Sequence, residues 1–322
     1  MSASSPLPVG PEPARRTPIV LFPGQSAYHP DMLRVAVERA PALASPLVEE
    51  AAEAIGFDLA AAVATTERPD NRLVQLGVFV ANHLHLAALR AAGVPPGLGA
   101  GMSLGEYNHL VDIGALDFSA ALALVDARGR LYDAGPAGVM IALFPVEAAV
   151  VEEAIAALGV PVTISNHNSP QQQVIAGPAD AVAQVARLLD ERDFVDARLI
   201  EARLPMHGPH FAPVAPRLEA VLRAVSWRRP TRPYVANVLG GPVDDPTPDV
   251  ICRLLTAHVC QPVRWRQSIE WLAAQAPEPV FIEVGPGRAL ANLMRRPWRT
   301  EPCFSLAEPA ALDATLAALC AR

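Results

Sequence analysis

The chain contains no lysine: all 26 of its basic residues are arginine. A Walker A phosphate loop, a pyridoxal Schiff base and a protein-kinase site each need a lysine amine, so those three chemistries are excluded. Cysteine is scarce too. Cys252, Cys260, Cys303 and Cys320 show no Cys-x-x-Cys spacing and read as reduced thiols of a cytoplasmic protein. No stretch approaches the roughly 20 uninterrupted apolar residues of a membrane helix, so no membrane span is expected. Residues 1–16 are rich in Ser and Pro without an apolar run, which predicts a disordered tail and not a signal peptide. A net charge of −7 argues against general nucleic-acid binding. Gly97, Gly99 and Gly101 hint at a dinucleotide loop, but Met102 stands where the third glycine of Gly-x-Gly-x-x-Gly belongs.

What is present is ample core. The 322 residues are 51% hydrophobic and 18% charged, enough for one large domain or a large domain with a smaller insert. Pro18 to Phe22 is a short apolar run closed by Pro23-Gly24 and reads as a buried strand. Leu73 to Ala92 has helical spacing with a stop at Gly93, and Ala120 to Leu131 is a second helix. From Gly138 the pattern changes. Strands are predicted at Val139–Phe144, Val160–Ile164, Gln173–Ala176 and Val195–Ile200, with helices at Val146–Leu158 and Ala179–Glu191. That β-α-β-β-α-β order is the ferredoxin-like arrangement. After Leu204 the α/β pattern resumes, with a helix at Arg217–Val225 and a buried strand at Pro279–Val284. The expected fold is therefore a large α/β-hydrolase-like domain (17–137 and 204–322) with an inserted small ferredoxin-like domain (138–203).

Gly101-Met102-Ser103-Leu104-Gly105 fits the Gly-x-Ser-x-Gly nucleophile elbow, in which a strand turns sharply into a helix and leaves the serine Oγ exposed. The same residues admit a second reading. Ser103 to Glu106 is also a Ser-x-x-Glu capping box, in which the serine only caps a helix. A nucleophilic serine needs a base, and eight histidines are available. His83 and His85 lie two apart on a helix and face different ways. His29, His109 and His167 sit in or beside polar segments. His207 lies in Leu204-Pro205-Met206-His207-Gly208-Pro209-His210, a rigid turn where the insert returns to the large domain, a usual place for a cleft. His207 and His210 could share a metal, but no third ligand stands at a sensible spacing. Arg264, Arg266, Arg288, Arg295, Arg296 and Arg299 form a basic stretch that is either solvated surface or a landing patch for an acidic partner.

From about Pro18 to Arg296 the chain resembles the malonyl-CoA:acyl carrier protein transacylase family, which includes polyketide synthase acyltransferases. The resemblance rests on ordered blocks: Phe22-Pro23-Gly24-Gln25, the elbow with Glu106-Tyr107, and Arg128, 25 positions after Ser103. Asn166 to Pro170, Val174 to Gly177, Pro205-Met206-His207, Gln261 to Trp265 and Glu283 to Gly287 follow. The resemblance implies that Ser103 becomes an acyl-serine and that His207 is its base. It implies an oxyanion hole at the backbone amides of Gln25 and Leu104, and a carboxylate-binding role for Arg128. It also implies that a backbone carbonyl, at His258, orients His207, so that the His258 side chain should matter little. Met102, Gln75, Asn168 and Met206 match positions that line the family's site.

Departures from the family pattern bear on the substrate. Met102 replaces the usual His before the serine, Ser26 and Tyr28 replace a Gly and a Gln of the first loop, and Leu204-Pro205-Met206 is unlike the malonyl- and methylmalonyl-selecting segments. Among discrete members the chain most resembles the trans-acting acyltransferases of vicenistatin-type macrolactam biosynthesis. That likeness implies movement of an aminoacyl or dipeptidyl starter between acyl carrier proteins, with Met206, Arg296 and Arg299 meeting the carrier. Loading of malonyl from an acyl-CoA is the alternative, followed by a thioesterase or a binding module that has lost its activity. No cofactor or metal is expected.

Overall fold

The computed structural model describes residues 16–67, 69–295, 297–308 and 310–321. In chain order it begins with β1 (Thr17–Phe22), α1 (Met32–Arg39), α2 (Pro41–Ile55), α3 (Leu59–Thr65), α4 (Asn71–Ala91), β2 (Leu98–Gly101), α5 (Gly105–Asp112) and α6 (Phe118–Asp133). Next come β3 (Val139–Phe144), α7 (Ala148–Leu158), β4 (Thr163–Ser169), β5 (Gln172–Gly177), α8 (Ala179–Asp193) and β6 (Asp196–Glu201). The rest are α9 (Ala215–Arg223), β7 (Val235–Ala236), β8 (Gly241–Pro242), α10 (Pro248–His258), α11 (Trp265–Gln275), β9 (Pro279–Glu283), α12 (Ala289–Leu293), β10 (Cys303–Ser305) and α13 (Ala311–Cys320). The fold is mixed α/β.

One sheet is wholly parallel, in the order β10-β9-β1-β2. A parallel strand in the middle of a sheet is covered on both faces, which is why β1 reads as an unbroken apolar run. Ile19, Val20, Leu21 and Phe22 are all buried, Ile19 and Leu21 in one cluster and Val20 and Phe22 in another. The Asp70 carboxylate caps α4 by accepting from the Leu73 N–H, and Thr247 caps α10 through the Val250 N–H. Asp133, at the end of α6, accepts from the Asn71 and Arg72 N–H groups and ties that helix to the start of α4.

The second sheet is antiparallel, in the order β4-β5-β3-β6. Leu143 and Ile175 pack on one face with Val151, Val182, Val185 and Leu189 of α7 and α8. Met140, Ala142, Val174 and Ala176, from the other face, join the main core with Leu204, Met206 and Phe211. The strand expected at 160–164 instead spans Thr163–Ser169. Pro161 lacks an N–H, and a tight turn joins Val162 N–H to Val160 C=O, so pairing starts later. Ser165, Asn166 and Asn168 are buried in this strand, and their polarity hides it from any search for apolar alternation. Val263 N–H donates to Ser165 C=O and His167 N–H to Val263 C=O, both at 2.9 Å, so the segment before α11 is stitched to β4.

Of the tail expected at 1–16, all but Arg16 lies outside the described residues. Arg16 N–H donates to Leu319 C=O. Among the described residues no helix is long and apolar enough to cross a membrane.

Candidate active site

β2 ends at Gly101 and α5 starts at Gly105, so Ser103 sits on the turn between them. Its φ is 52°, in the left-handed region that non-glycine residues rarely occupy. A β-carbon at Gly101 would lie 1.9 Å from Gly105 O, and one at Gly105 would lie 2.1 Å from Phe22 O, so only hydrogen fits at either place. Asn237, at the end of β7, clamps the turn. Its Oδ1 accepts from the Ser103 N–H at 2.8 Å and its Nδ2 donates to Gly101 C=O at 2.6 Å. The capping box does not form, because Leu104 is the N-cap of α5 and makes no side-chain cap bond. Glu106 is turned inward: its Oε1 accepts from the Tyr234 hydroxyl at 2.7 Å and from the Asn237 N–H at 3.1 Å.

His207 meets this serine from the far side of the chain. Ser103 Oγ lies 2.8 Å from His207 Nε2. His207 Nδ1 donates to His258 C=O at 2.8 Å, and its backbone N–H donates to Val259 C=O at 3.2 Å. That pairing leaves Nε2 as the acceptor, the tautomer a base requires. His207 also has a positive φ, 60°. Both Ser103 and His207 are thus held in sparsely populated backbone, at a cost of order 1–3 kcal/mol each, and the surrounding bonds over-determine them.

Burial, then the nearby His258 and Arg128, push the His207 pKa well below its ordinary value near 6.5, while its bond to the His258 carbonyl opposes them. The ring is therefore unprotonated and able to take a proton at neutral pH. His83, His85 and His109 are each pushed down to about 4 by burial. The unfolded chain takes up protons on these rings below about pH 6.5 and the native chain does not, so stability is full above that pH and falls as pH drops toward 4. Each ring contributes a slope of up to about 1.4 kcal/mol per pH unit. Urea midpoints measured from pH 7.5 to 5 should fall steadily below about pH 6.5. A flat profile contradicts this burial.

Gln25 and Leu104 both adjoin the nucleophile turn. Gly24, next to Gln25, packs against the turn: a β-carbon on it would lie 3.6 Å from Ser103 Cβ. Among the described residues neither N–H has an acceptor, as each begins a helical turn. The Gln25 side chain donates from Nε2 to Glu201 at 3.2 Å. Arg128 of α6 is 1% exposed. It donates to Gln75 Oε1, and its guanidinium lies 4.1 Å from the centroid of the Tyr132 ring and 5.4 Å from that of Tyr107. Its Nε has no partner. Gln75 in turn donates to Asn71. A buried cation without a counter-ion costs several kcal/mol, which stacking on aromatic rings offsets only in part.

The remaining expected residues divide. Asn168 is buried, with Nδ2 on Gln172 and Oδ1 without a partner. Met102 packs with Val235, Val263 and Trp265. Met206 cannot lie on a carrier-binding surface: it is 4% exposed and packed into the main core, and only its place beside His207 links it to the site. Arg296 lies outside the described residues. Arg299 is committed to Glu301, so its charge is not a bare patch. His207 Nε2 is occupied by Ser103, and His210 Nε2 lies 2.6 Å from Pro161 C=O, so the two rings do not converge on a shared metal. The His258 side chain, expected to be indifferent, is in close contact with Glu106 and stacked on His207. Sequence reasoning missed Asn237 altogether, because nothing local marks a residue 134 positions from the serine it holds.

The chain matches the model of the acyl transferase domain over residues 36–318. It is 33% identical over 311 residues to malonyl CoA-acyl carrier protein transacylase of Escherichia coli strain K12, covering 92% of this chain and 97% of that one. It is 29% identical to the polyketide biosynthesis malonyl CoA-acyl carrier protein transacylase BaeC of Bacillus velezensis, over 86% of this chain and 95% of that one. The solved malonyl CoA-acyl carrier protein transacylase of Coxiella burnetii superposes with a TM-score of 0.88 at 30% identity, covering 96% of this chain and all of that one.

Proposed function

The chain belongs to the acyl transferase domain family, and from that premise we propose that it transfers a carboxylated acyl group of the malonyl kind from a coenzyme A thioester to an acyl carrier protein of polyketide biosynthesis. One observation carries the choice of acyl group. A serine and an unprotonated histidine stand 2.8 Å apart, and the nearby guanidinium of Arg128 is buried without a counter-ion. A malonyl carboxylate supplies that counter-ion bidentately.

The reaction runs in two halves. Ser103 Oγ attacks the thioester carbonyl while its proton passes to His207 Nε2. The oxyanion that develops is held by the Gln25 and Leu104 N–H groups, whose bonds strengthen only in the transition state. The C–S bond breaks, the thiolate takes the proton from His207, and an acyl-serine remains. The phosphopantetheine thiol of the carrier then gives its proton to His207 and attacks the ester; the C–O bond to Ser103 breaks and Oγ takes that proton back from His207 Nε2. The His258 carbonyl orients His207 throughout. Gln75 steadies Arg128, while Asn168 and the Met102 and Met206 segments border the acyl pocket. The two sheets read as an α/β-hydrolase-like domain (17–137 and 204–322) around a ferredoxin-like one (138–203).

A second reading has its own support. The Glu201 carboxylate, bonded to Gln25 Nε2 and the Arg203 N–H and only loosely paired with the Arg203 guanidinium at 3.8 Å, offers negative charge beside the Gln25 loop for the ammonium of an aminoacyl or dipeptidyl starter carried by one acyl carrier protein to another in trans. Purified protein offered malonyl-CoA and a phosphopantetheinylated acyl carrier protein should yield malonyl-carrier by intact mass. If malonyl-CoA stays untouched while an aminoacyl group moves between carriers, the second reading replaces the first. Release of free malonate without transfer sinks both.

A further inference from the structure

His258 touches His207 twice. Its carbonyl is one of the C-terminal groups that α10 cannot satisfy internally, and it accepts from His207 Nδ1 at 2.8 Å. Its ring lies parallel to the His207 ring, with centroids 4.5 Å apart and planes inclined by 17°. The ring is itself anchored: Nδ1 lies 2.8 Å from Glu106 Oε2, and both side chains are buried. Nε2 has no partner, and the Nδ1 contact to Glu106 Oε2 is close but not aligned as a hydrogen bond, so the pair is held by charge and proximity. Glu106 sits on the first turn of α5, directly after the nucleophile turn, and accepts from Tyr234 and Asn237.

Resting on the acyl-serine reading above, the structure assigns to the His258 side chain a positioning role: its Nδ1, in close contact with the Glu106 carboxylate, braces the end of α10 so that the His258 carbonyl and ring hold His207 in line with Ser103. The segment carrying the serine and the segment orienting the base are thereby tied by one buried contact. A polar ring nitrogen 2.8 Å from a buried carboxylate in a dry site is a strong electrostatic contact, and removing it leaves that carboxylate oxygen with no polar neighbour from α10. The base loses its alignment before the fold is lost, because α10 keeps its Thr247 cap and its core residues Ile251, Cys252 and Leu255.

The test compares His258→Leu and His258→Phe, which remove the ring nitrogen, with His258→Asn, whose Nδ2 falls close to the place of the lost Nδ1. The probe is phenylmethylsulfonyl fluoride, which sulfonylates an activated serine whatever the natural acyl donor, so the outcome does not depend on the substrate reading. The first-order inactivation rate should fall about tenfold or more in Leu and Phe, with half-saturation changed less than about twofold, while Asn stays within about threefold of the parent chain. Circular dichroism of each variant separates this from unfolding, and Phe, which keeps the ring volume, stands in if Leu does not fold. Unchanged inactivation in the folded Leu or Phe variant overturns the proposal, as does an equal loss in Asn. An unreactive parent chain argues instead against an activated Ser103, and with it against the acyl-serine reading.

Discussion

Ser103→Ala should lower the rate of acyl transfer by more than about 10⁴-fold, with the protein otherwise folded as before. The Oγ makes one bond, to His207 Nε2, and packs nothing else together. The turn is held through the Ser103 backbone N–H and the Gly101 carbonyl, and alanine keeps both bonds to Asn237. The loss is therefore chemical, because the hydroxyl that His207 Nε2 contacts is gone. Such a drop corresponds to about 5 kcal/mol of barrier, far more than any change in folding expected from one half-buried oxygen. Stopped-assay transfer rates, with Tm measured beside them, check the prediction. A variant that keeps more than about a hundredth of the activity means that Ser103 is not the nucleophile.

Arg128→Met should separate activity from stability in the opposite sense to most buried substitutions. Transfer of a malonyl group should fall about 10²-fold or more in kcat/KM, because two charge-assisted bonds to the carboxylate are lost. Transfer or hydrolysis of an uncharged acyl group of similar size should change much less. The fold should tolerate the change. Arg128 is 1% exposed with no carboxylate on it, and replacing a buried, uncompensated charge by an apolar chain of similar volume is often neutral or stabilising. Against this stands the donor that Gln75 loses, worth about 1–3 kcal/mol. The net expectation is a Tm within a few degrees of the parent or above it. Equal losses for charged and uncharged acyl groups would falsify the carboxylate role.

What could be read from the sequence was what is contiguous. The elbow is five adjacent residues whose glycine pattern is visible by itself, although the atom that forbids a side chain at Gly105 is the distant Phe22 O. The two central parallel strands, Thr17–Phe22 and Pro279–Glu283, are legible because a short apolar run bounded by Gly or Pro has few other uses, while the three-residue edge strand Cys303–Ser305 is too short to carry such a pattern. His207 stood out through its Pro/Gly-rich turn, and Arg128 entered only through a resemblance. What stayed hidden is made by folding. Asn237 is 134 positions from the N–H it accepts, and Glu106 is read from sequence as a helix cap although its partners lie at 234, 237 and 258. The His258 ring was dismissed because a carbonyl has no side-chain identity, yet the ring, too, contacts the base. Strand β4 was misplaced because its buried residues are polar. Met206 shows the reverse error, since position beside the base says nothing about which way a side chain points.

The central claim is that the acyl group is carried on Ser103. Its most direct test is the intact mass of the protein after brief exposure to malonyl-CoA without any carrier, followed by peptide mapping. A single malonyl adduct on the peptide containing Ser103, discharged when phosphopantetheinylated carrier is added, is the predicted result. Transfer to the carrier with no adduct on the protein at any time, or an adduct on another residue, contradicts the account.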